Sequence, residues 1–138
     1  AAYGFIPKTY CDDKDPLDIL VLCSVEIVPL CLVEAKVIGV MQMVDGNEED
    51  DKIIAVAAHD ISVNHYNELD DLPPHTLRAM QRFFEDYKAL EHKSVTVQRF
   101  LPREEAYRII NESIRLYNET FPNGNDHDEL LRQQALNE

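Results

Sequence analysis

Apolar residues over roughly the first hundred positions come either as short runs, at residues 19–22 and 53–58, or in alternation, with Glu34 and Lys36 separating Val33, Ala35 and Val37. Both patterns belong to strands, and a series of short strands joined by loops suits a small barrel or a strongly curved sheet. Val95-Thr96-Val97 predicts one more strand. Helical spacing enters in two later segments. The first starts near Pro73-Pro74, where proline suits a first turn, and carries Leu77, Met80, Phe83, Phe84, Tyr87 and Leu90 toward the sheet. The second is signalled by Pro102 and by Glu104 and Glu105 in its first turn. It runs through Ala106, Ile109, Ile110, Ser113, Leu116 and Tyr117 on one face. The expected class is α+β, mainly β with two packed helices.

At 138 residues, 45% of them hydrophobic, the chain has the size of one domain around a single core. Residues 1–121 make that domain. Beyond Phe121 the stretch Pro122-Asn123-Gly124-Asn125-Asp126 breaks the pattern, and residues 122–138 read as a polar tail in which Leu130, Leu131 and Leu136 could form a short helix against a partner. Thirteen Lys and Arg against twenty-six Asp and Glu leave a net charge of -13, which argues against binding nucleic acid or an anionic membrane by bulk charge. A polyanionic substrate must arrive with cations. Cys11, Cys23 and Cys31 are odd in number and contain no C-x-x-C pair, so a reducing compartment is the simplest reading. No apolar run approaches the roughly 18 residues of a membrane span.

The densest chemical feature is Asp13-Lys14-Asp15-Pro16-Leu17-Asp18, directly ahead of the apolar run at residue 19. Three carboxylates so close repel one another unless cations neutralise them, and hard oxygen ligands suit Mg²⁺ or Mn²⁺. The plainer reading, a solvated acidic turn, is the better one for an arbitrary D-x-D alone. An EF-hand loop starting at Asp13 fails, because its sixth position needs glycine and holds Asp18. A phosphatase forming an aspartyl phosphate is disfavoured, since there the strand precedes the D-x-D.

A second acidic stretch, Asp45-Gly46-Asn47-Glu48-Glu49-Asp50-Asp51-Lys52, is expected to be the loop between a strand ending near Met43 and one starting at Ile53. Taken alone it is a solvated connection. With the first cluster also at a strand end, one face of a barrel could bring the two together around several cations. The third feature, Phe83-Phe84-Glu85-Asp86-Tyr87-Lys88, reads first as core aromatics beside surface charges. Adjacent Tyr87 and Lys88 can nonetheless offer a hydroxyl and an ammonium to one phosphate. The sequence contains no H-x-x-x-H pair, no G-x-S-x-G and only four glycines, so a nucleophile elbow or a backbone phosphate cradle is not suggested.

Taken in order and spacing, Tyr3-Gly4-Phe5-Ile6-Pro7, residues 13–18, residues 45–52 and residues 83–88 resemble the signatures of the family I soluble inorganic pyrophosphatases, over roughly residues 3–121. The resemblance implies a five-stranded OB-like β-barrel with two main helices packed outside. It also implies that the barrel is incomplete at its N-terminal side, because the segment that precedes this tyrosine in the family, with early strands and Glu, Lys and Arg site residues, is missing. Asp13, Asp18 and Asp50 correspond to ligands of activating metals, Asp18 bridging two of them, and Asp45 with Asp50 to ligands of a further Mg²⁺ that accompanies the substrate. Asp15 matches the carboxylate that acts as general base, and Tyr3, Lys52, Tyr87 and Lys88 match residues that contact the phosphates. Lys14 departs from the Gly, Ser, Asn or Asp usual at its position, and Ala1-Ala2 from the usual lead-in to Tyr3.

The expected activity is therefore Mg²⁺-dependent hydrolysis of pyrophosphate to two phosphates, with Mn²⁺ as a substitute and no covalent intermediate. The expected location is the cytoplasm, with an organelle as the other option, and a homo-oligomer is compatible with the family. The competing expectation is a non-catalytic OB-like module, derived from a pyrophosphatase, that binds a divalent cation or a protein.

Overall fold

Backbone pairing turns the apolar stretches into β1 (Ala2–Phe5), β2 (Asp18–Leu22), β3 (Ala35–Asp45), β4 (Glu48–Ala57) and β5 (Val95–Pro102). The helically spaced segments become α1 (Pro74–Leu90) and α2 (Arg103–Thr120). The computed structural model describes residues 1–45, 48–90 and 95–123, without the side chains of residues 45, 87, 88 and 95–98. The tail expectation beyond residue 123 lies outside the described residues.

The strands form one mixed sheet in the order β1-β2-β4-β3-β5. β2 and β4 run parallel, and the other three pairings are antiparallel. The expected five strands and two helices are present, but the sheet is not closed: β1 and β5 are its edges among the described residues. Alternation along the strands gives the sheet two apolar faces. On one, Leu20, Met41, Met43, Ile54 and Val56 pack with Leu69, Leu72, Met80 and Phe84. On the other, Val40 and Ile53 pack with Leu17 and with Ala106 and Ile109 of α2. The helices thus cover opposite faces.

The buried stripe of α2 comprises Ala106, Ile109, Ser113 and Tyr117, matching its apolar spacing. α1 begins at Pro74, as a proline-first helix should. Its apolar face is narrower than expected. Phe84 is buried, but Phe83 is 56% exposed and the terminal Leu90 is 81% exposed. Neighbouring residues point about 100° apart on a helix, so Phe83 and Phe84 cannot both face the sheet.

The acidic stretch departs further from expectation. Instead of a loop from residue 45 to 52, β3 runs on to Asp45 and β4 starts at Glu48, with Asp50 opposite Met43 and Lys52 opposite Met41. Acidic residues are poor strand formers, but a long antiparallel partner carries them. The change matters because a strand alternates its side chains. Asp50 and Lys52 point to the α1 face and Asp51 to the α2 face, an arrangement a loop would not impose.

Candidate active site

β2 starts at Asp18, and its register places Asp18 beside Lys52 across the parallel ladder. Lys52 is 3% exposed. Its Nζ donates to Asp18 Oδ2 at 2.6 Å and to the two oxygens of Asp50 at 3.0 and 2.9 Å. It also lies 5.5 Å from the centre of the Tyr3 ring and 6.0 Å from that of Phe84. Burial alone would drive this ammonium toward neutrality; its hydrogen bonds to Asp18, Tyr3 and Asp50 outweigh it and hold the pKa above the ordinary lysine value. Burial pushes the Tyr3 phenol up to about 12, against the hydrogen bond and charge of Lys52. Tyr3 therefore stays protonated, a hydrogen-bond donor, at neutral pH.

Residues 6–17 form the loop that carries the first acidic cluster to the end of the sheet. Asp13 and Asp18 line, with Asp50, a cleft of about 340 Å³ that also receives Asp12, Glu49 and Asp51, and Arg108, Glu112 and Arg115 from α2. Burial, with the charges of Asp15, Asp50 and Asp18, holds the Asp13 carboxyl above its usual range, although the Asp15 N–H donates to its Oδ1 at 3.0 Å. Asp15 itself is exposed and does not line the cleft.

Of the residues singled out in the sequence, Tyr3, Asp18, Asp50 and Lys52 thus meet directly, and Asp13 shares the cleft with two of them. Asp45 ends β3, and Tyr87 and Lys88 lie in the last turn of α1. Their side chains lie outside the described residues.

Two groups went unnoticed in the sequence. Asp51 faces α2, its Oδ1 buried without a hydrogen-bond partner among the described residues. Burial, with the charges of Glu49 and Asp50 and against that of Arg108, pushes its carboxyl up to about 6. Alternation within β4 was the signal that separates it from Asp50. Arg108, Glu112 and Arg115 share one side of α2, a spacing of four and three residues that marks a helix face. There Arg108 pairs with Glu105, and Arg115 with Glu112 and Glu119.

The donor set fits a hard divalent cation in kind. Asp13, Asp18 and Asp50 offer only oxygens, and the single Lys52 ammonium leaves their combined charge in excess. Among the described residues, no three His, Cys, Asp or Glu side chains converge closely enough to hold an ion as they stand. No helix of the described residues is long and apolar enough to cross a membrane.

A family model described as inorganic pyrophosphatase matches residues 1–118. The soluble inorganic pyrophosphatase 2 of Chlamydomonas reinhardtii is 51% identical over 119 residues, covering 86% of this chain and 62% of its own length. The soluble inorganic pyrophosphatase 4 of Arabidopsis thaliana is 50% identical over 115 residues, covering 83% and 53%. The chain thus spans only between about half and three fifths of these relatives. Among solved structures, the inorganic pyrophosphatase of Helicobacter pylori superposes with a TM-score of 0.80 at 38% identity, over 84% of this chain and 70% of that one. The Thermus thermophilus enzyme gives a TM-score of 0.80 at 38% identity, over 84% and 68%. With its motifs, its sheet and these matches in agreement, the chain belongs to the inorganic pyrophosphatase family.

Proposed function

We propose that this protein hydrolyses pyrophosphate to two phosphates with Mg²⁺. The observation that carries the reading is the joining of Asp18 and Asp50 through the buried Lys52, beside Tyr3 and at the cleft that Asp13 also lines. Asp13, Asp18 and Asp50, with Asp45, would hold the ions. Bound Mg²⁺, or Mn²⁺ in its place, would neutralise the diphosphate oxygens and acidify a water molecule.

The chain's own groups do the rest. Lys52 holds Asp18 and Asp50 in place, its one ammonium donating to both carboxylates. Asp15, exposed and spared from pairing with Lys52, takes the proton of the attacking water. Tyr3 keeps its proton and donates a hydrogen bond to a phosphate oxygen, while Lys52 and Lys88 add positive charge, and Tyr87 a hydrogen bond, to the departing phosphate. We assign the protein to a reducing compartment, the cytoplasm first, its three cysteines being free.

The test is phosphate release from pyrophosphate with Mg²⁺, with Ca²⁺ and with excess chelator. Activity should need Mg²⁺ and be inhibited by Ca²⁺, a larger and more loosely coordinated ion. Asp15→Asn should lower kcat by orders of magnitude while changing metal affinity less than Asp18→Asn does. Full activity in chelator would defeat the metal reading, equal loss of metal affinity in the two variants the base assignment. Metal binding without hydrolysis would instead favour a non-catalytic cation-binding module.

A further inference from the structure

A loop of twelve residues, 6–17, carries Asp13 and Asp15, and it has no regular structure of its own. It is also strained: Lys8 and Lys14 both sit in the left-handed region, at φ 58° and 68°. Such strain persists only where surrounding contacts over-determine the backbone. At the neck, the Ile6 N–H donates to the Leu17 carbonyl at 2.9 Å. Within it lies Thr9, a polar residue only 3% exposed. Its Oγ1 donates to the Ile6 carbonyl at 2.6 Å and accepts from the Leu17 N–H at 2.9 Å.

One oxygen thus ties the residue before the loop's turn to the residue just ahead of Asp18, with the left-handed Lys8 immediately beside it. The adjacent Tyr10 fastens the loop to α2, its N–H donating to the Ser113 carbonyl at 3.1 Å and its ring meeting Phe121 edge-on at 5.3 Å. Farther out, the Cys11 N–H donates to the Asp15 carbonyl at 3.0 Å and the Lys14 N–H to the Cys11 carbonyl at 2.9 Å. Between the Thr9 clasp and Asp18 the acidic end of the loop is therefore held by its own backbone bonds and, through Tyr10 and Cys11, by Ser113 of α2.

We propose that Thr9 is the positioning residue of the acidic loop: its hydroxyl holds Asp13 in register with Asp18 and Asp50, so that it sets the affinity of the cleft for Mg²⁺ without touching the ion. The inference rests on the metal reading above, but its readout is binding rather than turnover.

The experiment is Mg²⁺ binding by calorimetry, together with amide hydrogen exchange at Leu17, for the chain and for Thr9→Val, Thr9→Ser and Val56→Ala. Valine keeps the shape and removes the oxygen, stranding a buried N–H, and should weaken Mg²⁺ binding roughly tenfold and speed exchange at Leu17 by a similar factor. Serine restores the oxygen and should stay within about threefold of the parent. Val56→Ala loosens the core at the other end of β4 and should leave Mg²⁺ affinity unchanged. In the unmodified chain, Mg²⁺ should slow exchange at Leu17, a result that does not depend on any variant folding.

Unaltered affinity in Thr9→Val, an equal loss in Val56→Ala, or exchange at Leu17 indifferent to Mg²⁺ would overturn the proposal. Failure of the parent to bind Mg²⁺ would overturn both this and the proposed function. Binding without hydrolysis would remove the activity and leave Thr9 in its role.

Discussion

Gly39→Ala offers the sharpest test of the packing. Gly39 lies where β3 bulges: Val37 pairs with Ala55 and Gly39 with Ile54, so Ile38 is the extra residue. A Cβ at Gly39 would fall 2.4 Å from Leu69 Cγ, 2.5 Å from Leu69 Cδ1 and 2.9 Å from the Leu101 carbonyl oxygen. Leu69 is itself buried, and Leu101 is held in the sheet opposite Val40. Neither neighbour yields freely. Overpacking of this kind costs about 1–3 kcal/mol. For a chain of this size 1 kcal/mol moves Tm by about 3 °C, so a loss of roughly 3–10 °C is expected by calorimetry or circular dichroism. Leu69→Ala alone should cost about 2–5 kcal/mol through its cavity. Combined with Gly39→Ala it should cost less than the sum, because the new methyl enters the space the leucine vacates. If the two losses add to within about 0.5 kcal/mol, Leu69 is not what excludes a side chain at Gly39 and the reasoning fails.

Lys52→Met should destabilise the chain by about 3 kcal/mol at pH 7, since it strips a buried cation from two carboxylates that retain some contact with water. The Lys52 pKa is raised on folding, so its contribution is present below about pH 10 and fades as pH rises beyond. A denaturant titration in which the variant matches the parent at pH 7 would contradict this. Asp51→Asn should raise Tm at pH 7.5. The Asp51 carboxyl, pushed up to about 6, binds its proton more tightly folded than unfolded, so ionising it costs stability that returns as pH falls through 6 toward 4. The gain should shrink over that window, and a pH-independent difference would assign it to something other than charge. Lys14→Gly should be neutral to stabilising by about 1 kcal/mol, since glycine relieves the left-handed backbone at φ 68°, while Lys14→Ala should not stabilise. Equal Tm values for these two variants would show that the strain has no consequence.

The helices were legible because both carry an apolar period with a proline at or just ahead of the first turn, and the structure begins them at Pro74 and Arg103. The acidic start of β4 was not, because its strand character comes from pairing with β3 rather than from its own residues. Lys14 stood out only as a departure from the Gly, Ser, Asn or Asp that the resemblance implies; its left-handed backbone, at φ 68°, was not legible in the residues. Asp18, Asp50 and Lys52 could be named from their motifs, but their mutual ion pairing depends on the β2–β4 register, which no local pattern encodes. Thr9 was invisible for a related reason. A single threonine in irregular chain carries no periodicity, and its importance lies entirely in what it reaches.

The parallel pairing of β2 with β4 has a kinetic consequence. Asp50 and Lys52 are neighbours in the chain and can meet as soon as β4 extends, whereas Asp18 lies 34 residues from Lys52 and meets it only when the crossover closes. Closing so long a loop is entropically slow compared with forming a hairpin or a helix. During refolding, far-ultraviolet dichroism should therefore recover before the pocket regains any affinity for its ion. Metal uptake, followed in a stopped-flow mixer, would report the arrival of the last strand rather than the collapse of the core.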